Sequence, residues 1–110
     1  MKKAVADPIA EEYAKLLHAA LGDRLREVWL FGSRARGDFT EDSDYDVVVI
    51  AEGDQHEVNE IAGIESYAIM SEYSEFVGQL VYSPDEWEMT KHTSLGRNVL
   101  REGILVYGQE

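Results

Sequence analysis

The chain has 110 residues, of which 45% are hydrophobic, and its 22 acidic residues against 10 basic ones give a formal net charge of −12. We expect a single domain over residues 1–110, since this length can bury one core and the composition argues against disorder. The chain has no cysteine, which excludes disulfides, thiolate zinc sites and thiol nucleophiles. The negative charge opposes extended binding to nucleic acid, which depends on Lys and Arg replacing counterions. A single nucleotide stays compatible with it, because one positive pocket suffices.

The N-terminal sequence does not have the pattern of an export signal. It starts basic, but Asp7, Glu11 and Glu12 interrupt the apolar stretch that a signal peptide requires. No run approaches the roughly 18 apolar residues of a membrane span. We therefore expect a cytoplasmic protein that binds neither membranes nor nucleic acid directly. Its acidic surface fits solubility or docking to a basic protein partner.

Hydrophobic periodicity predicts alternating helices and strands, without a repeat, linker or low-complexity segment. This order favours an α/β or α+β domain, in which helices pack on a mixed sheet. The predicted elements are, in chain order, a helix at 8–21, a strand at 25–31, a strand at 46–51, a helix at 55–74, a strand at 76–82, a helix beginning after Ser83 and a helix at 95–101, followed by a short apolar tail at 104–107.

Local signals set several of these boundaries. Asp7 is the predicted N-cap of the first helix, with Pro8 in its first position and Gly22 as its stop. The run Ser83-Pro84-Asp85-Glu86 is a capping box. Gly63 weakens the prediction for the helix at 55–74. The loosely periodic apolar positions of that helix are Val58, Ile61, Ala62, Ile64 (or Glu65) and Ile69.

Two carboxylates lie at the start of the 46–51 strand, whose near-continuous β-branched run predicts burial on both faces. Side chains two apart on a strand share a face, so Asp44 and Asp46 should project together. Like charges held that close are best accommodated by a shared divalent cation. Magnesium suits them, because it is usually bound by one or two carboxylates together with substrate phosphates.

Upstream of the two acids, Gly32 and Ser33 end the first predicted strand, and Gly37 closes the short segment that follows. A glycine permits a sharp turn and close approach of a ligand to the backbone. The Ser33 hydroxyl and the N–H groups that open the next segment can meet phosphate oxygens. A returning strand would bring this turn next to Asp44 and Asp46. Triphosphate on one side and metal on the other is the layout that nucleotidyl transfer requires.

The stretch "FGSRARGDFTEDSDYDVVV", with Gly32-Ser33 followed ten residues later by Asp44-Tyr45-Asp46, resembles the signature of the DNA polymerase β nucleotidyltransferase superfamily. It is similar above all to minimal nucleotidyltransferases, the antitoxin partners of HEPN-domain toxins. The tail "NVLREGILVYG" also resembles the end of those proteins. The resemblance implies a small polymerase-β-type domain. Its implied activity is an ATP-using, Mg²⁺-dependent adenylyltransferase that modifies a tyrosine of a HEPN RNase toxin. By position, Gly32 and Ser33 would bind triphosphate, while Asp44 and Asp46 would bind metal and act in catalysis.

The sequence departs from this family at the third carboxylate, normally found in an apolar-Asp-Leu-Val pattern on a neighbouring strand. The corresponding run is Val77-Gly78-Gln79-Leu80-Val81, so the best-matching position holds Gln79, a weak magnesium ligand. Glu75 shares its strand face by parity and is a candidate substitute. If neither serves, the chain is a degenerate nucleotidyltransferase that neutralises a toxin by binding alone.

For several other residues the sequence allows either a functional or a purely structural role. Arg34 or Arg36 would contact the triphosphate or a partner, or would flank the acidic loop at the surface. The three histidines, at positions 18, 56 and 92, have no metal-ligand spacing. Trp29 and Trp87 are expected in the core. Antibiotic-modifying nucleotidyl transfer is a third possibility, but it normally needs a further substrate-binding domain, for which we expect 110 residues to leave no room.

Overall fold

The computed structural model describes residues 7–108. Each predicted element is present, and its observed boundaries lie within one residue of the expected ones. The elements are α1 (Pro8–Leu21), a 3-10 turn (Gly22–Arg24), β1 (Leu25–Phe31), α2 (Ser33–Arg36), β2 (Tyr45–Ala51), α3 (Gln55–Tyr73), β3 (Val77–Tyr82), α4 (Pro84–Thr90), α5 (Ser94–Glu102) and β4 (Ile104–Tyr107).

Capping explains why these boundaries could be predicted. The Asp7 carboxylate accepts hydrogen bonds from the N–H groups of Ile9 and Ala10 at 3.0 and 3.1 Å, and Gly22 ends α1 with φ at +59°. Ser83 and Glu86 form the expected reciprocal capping box at the start of α4. These side chains satisfy donors that the first turn of a helix leaves without partners.

The apolar tail at 104–107 is a strand, a fact that the sequence did not reveal. β4 pairs with β1 in antiparallel orientation, with Leu30 opposite Ile104. Four apolar residues after a helix do not distinguish a strand from a buried tail by periodicity. The assignment depends on the free edge that β1 offers, which is a tertiary feature.

The four strands form one mixed sheet in the order β3-β2-β1-β4. β2 runs antiparallel to β1 and parallel to β3, and α3 makes the crossover that a parallel pair requires. The domain is therefore α+β with a mixed sheet, as expected. Among residues 7–108 no helix is long and apolar enough to span a membrane.

The core lies on both faces of this sheet. On one face, Val47 and Val49 of β2 join a cluster with α1 and α3. On the other, Val48 and Ile50 pack with Trp29 and Trp87, so both tryptophans are buried as predicted. β2 is thus covered on both sides and fixed firmly in the core. This anchor holds the start of β2, which carries Asp46 and follows directly after Asp44.

Helix α3 differs in one respect from the prediction. It buries Val58, Ala62 and Ile69, but Ile64 is 64% exposed. Buried positions spaced four and seven residues apart define one stripe, and Ile64 lies outside it.

Candidate active site

Gly32 holds the turn between β1 and α2 directly against Asp46. Its φ is +76°, a conformation that L side chains rarely adopt, and a Cβ built there would lie 2.6 Å from Asp46 Oδ2. The antiparallel register places Phe31 opposite Asp46, which brings the turn and the second acid together. The prediction that a returning strand brings the Gly-Ser turn next to the acids is confirmed for Gly32 and Asp46.

Asp44 and Asp46 form the acidic part of the site. Asp44 precedes β2 and is exposed, whereas Asp46 belongs to β2 and is half-buried. Burial raises the pKa of Asp46, and the nearby charge of Asp44 raises that pKa further. Two carboxylates in this arrangement favour either protonation of one or binding of a cation between them. Within residues 7–108, no three His, Cys, Asp or Glu side chains converge to hold a metal ion.

Arg34 fastens the loop that carries Asp44. Its side chain is only 8% exposed, and its Nε and Nη2 donate to the Ser43 carbonyl at 3.2 and 3.0 Å. The guanidinium lies between the rings of Phe39 and Tyr45, 4.4 Å from each centroid. Through these contacts the Arg34 side chain holds the loop that carries Asp44 in place. A direct contact of Arg34 with a triphosphate stays a prediction.

The remaining predicted residues differ in their surroundings. Ser33 begins α2, and its carbonyl accepts from the N–H of Gly37 at 2.9 Å. The side chain of Arg36 is 43% exposed and forms ion pairs with Asp38 at 3.3 Å and Glu102 at 3.7 Å. Exposed pairs of this kind are weak, so an arriving anion can compete for the arginine.

Glu75 precedes β3, and its Oε1 lies 3.5 Å from Arg34 Nη2. The side chain is 30% exposed. It therefore belongs to the cluster that holds the Asp44 loop. The catalytic role predicted for Glu75 is not tested by this contact.

Strand register places Gly78, not Gln79, beside Asp46. In the parallel pair Asp46 is opposite Gly78, and Val47 is opposite Gln79. Because facing residues of a pair share a side of the sheet, Gln79 points away from the aspartates. Its Oε1 accepts a hydrogen bond of 2.9 Å from Ser66 of α3. The motif resemblance assigned the third acid to position 79, which lies on the face of the sheet away from Asp46. The β3 residue beside Asp46 is Gly78.

Some of these features were not apparent in the sequence. Phe39, Tyr45 and the Ser43 carbonyl hold Arg34, but cation–π and main-chain contacts leave no spacing pattern. The register that brings Gly78 beside Asp46 depends on how two strands slide past each other. A one-residue shift would have exchanged Gly78 and Gln79.

Comparison with known proteins agrees with this geometry. Residues 15–110 match the family model described as polymerase beta, nucleotidyltransferase. A Methanocaldococcus jannaschii protein named a "putative protein adenylyltransferase" is 30% identical over 97 residues, which cover 88% of this chain and 93% of the relative. A second protein of that organism with the same designation is 48% identical over 42 residues, covering 38% of this chain and 42% of the relative.

Solved structures share the fold. A chain in a crystal structure of a toxin–antitoxin with AMP-PNP superimposes with a TM-score of 0.63 at 21% identity, covering 91% of this chain and 74% of that one. A chain in the structure of tri-AMPylated Shewanella oneidensis HEPN toxin in complex with MNT antitoxin gives 0.55 at 19% identity, with coverages of 92% and 71%. The family match over residues 15–110, together with the Gly32-Ser33 turn that lies against Asp46, shows that the chain belongs to the polymerase β nucleotidyltransferase family, whose members use a nucleoside triphosphate and a divalent metal.

Proposed function

We propose that this nucleotidyltransferase is an antitoxin that transfers AMP from Mg²⁺-ATP to a tyrosine of a HEPN-type toxin. The observation that carries the proposal is the contact between the turn and the acid, where the missing Cβ of Gly32 would lie 2.6 Å from Asp46 Oδ2. A phosphate chain over this turn would lie beside the acids that bind its metal. The resemblance to protein adenylyltransferases and to toxin–antitoxin structures supports the choice of acceptor.

Asp44 and Asp46 are the proposed magnesium ligands. Burial and mutual repulsion raise the pKa of Asp46, and a divalent cation relieves the repulsion. The donors are carboxylate oxygens, which Mg²⁺ prefers. When bound, the metal would neutralise negative charge on the phosphates.

Gly32 and Ser33 are the proposed triphosphate contacts, with Arg36 as the exposed cation that can reach a phosphate. The N–H groups of Ala35 and Arg36 donate to the Gly32 carbonyl, so those of Ser33 and Arg34 lie at the open end of α2, where Ser33 adds a hydroxyl. Gly32 lets a phosphate approach the backbone without meeting a side chain. Arg34 would act mainly by holding the loop, although a phosphate contact of its own is part of the proposal.

The transfer moves one AMP group. The tyrosine oxygen forms a bond to the α-phosphorus as the bond from that phosphorus to the β-phosphate bridging oxygen breaks, and pyrophosphate leaves. The hydroxyl proton must pass to a base. Glu75 is the candidate in this chain, because it lies beside the Asp44 loop.

A second candidate function is neutralisation by binding alone. The specific observation in its favour is the glycine at the β3 position that faces Asp46. With no acid at Gly78, the site has two well-placed carboxylates, and metal binding could be too weak for efficient transfer.

Isothermal titration calorimetry with Mg²⁺-ATP tests the proposed site. We expect binding that requires Mg²⁺ and that is lost in the Asp44→Asn, Asp46→Asn double variant. Both changes are nearly isosteric, so the fold should survive, and circular dichroism will check this. Unchanged Mg²⁺-ATP affinity in the double variant would refute the metal role of the aspartates.

A further inference from the structure

A groove runs along the outer edge of the sheet between α3 and β3. It encloses about 470 Å³ and is lined by residues that include Gly63, Tyr67, Met70, Phe76, Gly78 and Gln79. Three of these carry large apolar side chains that are exposed by 73% at Tyr67, 40% at Met70 and 51% at Phe76. Scattered apolar side chains are ordinary on a surface, but a contiguous set in a groove marks an interaction site.

Gly63 lines this groove from within α3. Glycine within a helix is unfavourable relative to alanine. The fold does not require it, since a Cβ at this position would meet only Gln79 Nε2, at an ordinary contact distance of 3.7 Å. A residue that weakens its helix without a packing reason fits a surface that another element approaches closely.

One end of the groove, at Gly78, lies near Asp46, although neither aspartate lines the groove. A Cβ at Gly78 would lie 4.0 Å from Asp46 Oδ1. The Phe76 carbonyl accepts from the N–H of Tyr45 at 2.9 Å, which joins the groove to the start of β2. A partner seated here would therefore lie near Asp46.

The two elements that form the groove and the turn between them, residues 55–82, carry five acidic residues and neither lysine nor arginine. The basic side chain of Arg34 pairs with one of these acids, since its Nη2 lies 3.5 Å from Glu75 Oε1. Residues 37–90 include 15 acidic residues and neither lysine nor arginine. Both groove-forming elements, α3 and β3, fall inside this stretch. A partner that combines an apolar face with basic flanks would match both properties of the surface.

From these observations we infer that the α3–β3 groove docks a basic amphipathic helix of the acceptor protein and sets it beside Asp46. This inference rests on the proposed function for the identity of the partner. The helical form follows from α3, whose groove residues Gly63, Tyr67 and Met70 recur every three or four positions. Such a stripe accepts a second helix by packing ridges into grooves.

The test uses a designed, stapled helical peptide with leucines on one face and lysines on the other, and a matched peptide in which glutamates replace the lysines. Fluorescence anisotropy gives the affinity, and ¹H–¹⁵N chemical-shift mapping gives the location. We expect the lysine peptide to bind and to shift resonances of α3 and β3, and the glutamate peptide not to bind. The Tyr67→Ser, Met70→Ser variant should bind about tenfold more weakly, because it loses apolar contact area.

Met89→Ser is the matched control, since Met89 is 76% exposed on α4 and lies outside the groove. It removes a comparable side chain without altering charge and should leave the affinity unchanged. Equal affinities for the wild type and the Tyr67→Ser, Met70→Ser variant would overturn the inference, as would peptide shifts confined to β3 main-chain groups, which indicate an added strand.

Calorimetry on the same proteins separates this inference from the proposed function. The Tyr67→Ser, Met70→Ser variant should retain the Mg²⁺-ATP affinity of the wild type. Groove binding by a wild type that does not bind Mg²⁺-ATP would refute the enzyme proposal and leave the docking surface standing. Nucleotide binding without groove binding would refute only the docking surface.

Discussion

Replacement of Arg34 by methionine should loosen the loop that presents Asp44 and thereby weaken metal binding. Methionine retains an unbranched apolar stem but removes the charge and every donor. The wild-type guanidinium makes two hydrogen bonds to the Ser43 carbonyl and lies 4.4 Å from the ring centroids of Phe39 and Tyr45. The contacts with Ser43 and Phe39 tie the loop at residues 38–44 to Arg34, and the contact with Tyr45 ties Arg34 to β2.

The size of the effect follows from these contacts. Hydrogen bonds from a charged donor contribute ~1.5–3 kcal/mol, and a largely desolvated cation–π contact contributes ~1–2 kcal/mol. The ion pair with Glu75 adds little, because that carboxylate is 30% exposed. Since such terms are not additive, we expect a loss of about 2–4 kcal/mol. A small domain loses roughly 4 °C of Tm for each kcal/mol, so Tm should fall by about 8–16 °C if the loss is global.

Amide hydrogen exchange and a Mg²⁺ titration check this reasoning. The variant should lose exchange protection first in residues 38–44, and it should need more Mg²⁺ for the same extent of ATP binding. Arg34→Lys keeps the charge but not the planar group, and should recover less than half of the lost stability. An unchanged exchange pattern and Mg²⁺ dependence in Arg34→Met would refute the positioning role. Lost ATP affinity at saturating Mg²⁺ would indicate a direct phosphate contact.

Three further predictions concern Gly32, Gly78 and Asp46. Gly32→Ala should reduce stability by ~1–2 kcal/mol, because Gly32 has a positive φ, and it should also displace Asp46 and so weaken nucleotide binding. Gly37→Ala is the control, because Gly37 has φ at +93° and no atom within 4 Å of its Cβ. It should lose similar stability but keep nucleotide binding. Gly78→Asp should raise Mg²⁺ affinity in calorimetry and Gln79→Asp should not; the reverse order would mean that the strand register is wrong. Asp46→Asn should raise the Tm of the metal-free protein at pH 7, since the raised pKa of Asp46 means that its ionised form costs stability. That gain is complete above the raised pKa and disappears as the pH falls through it towards the ordinary value of 3.8.

Most of the fold could be predicted because its signals are local. Caps such as Asp7 and Ser83 act within one helical turn, and the continuous apolar run of β2 predicts burial on both faces from its own composition. The strand β4 could not be predicted in this way, since Ile104–Tyr107 becomes a strand by pairing with β1. The exposure of Ile64 depends likewise on which stripe of α3 meets the sheet.

In the candidate site, too, the features that depend on local sequence could be predicted and those that depend on tertiary structure could not. The position of the Gly32-Ser33 turn next to Asp46 follows from spacing, and the register confirms that Gly32 lies against Asp46. Asp44 precedes β2, so strand parity does not fix the direction of its side chain. The neighbour of Asp46 on β3 could not be obtained from a linear motif, because parity is defined only within one strand. The motif places Gln79 at the position of the third acid, but the motif carries no information on the register between β2 and β3, which sets Gly78 opposite Asp46.

Mass spectrometry of the proposed toxin partner tests the proposed function most directly. The purified complex is incubated with Mg²⁺-ATP, and the partner is weighed intact and mapped by peptide. We predict one or more AMP additions on a partner tyrosine, with none when the nucleotidyltransferase carries Asp44→Asn. A partner that is fully inhibited yet unmodified would contradict the enzyme account and support neutralisation by binding alone.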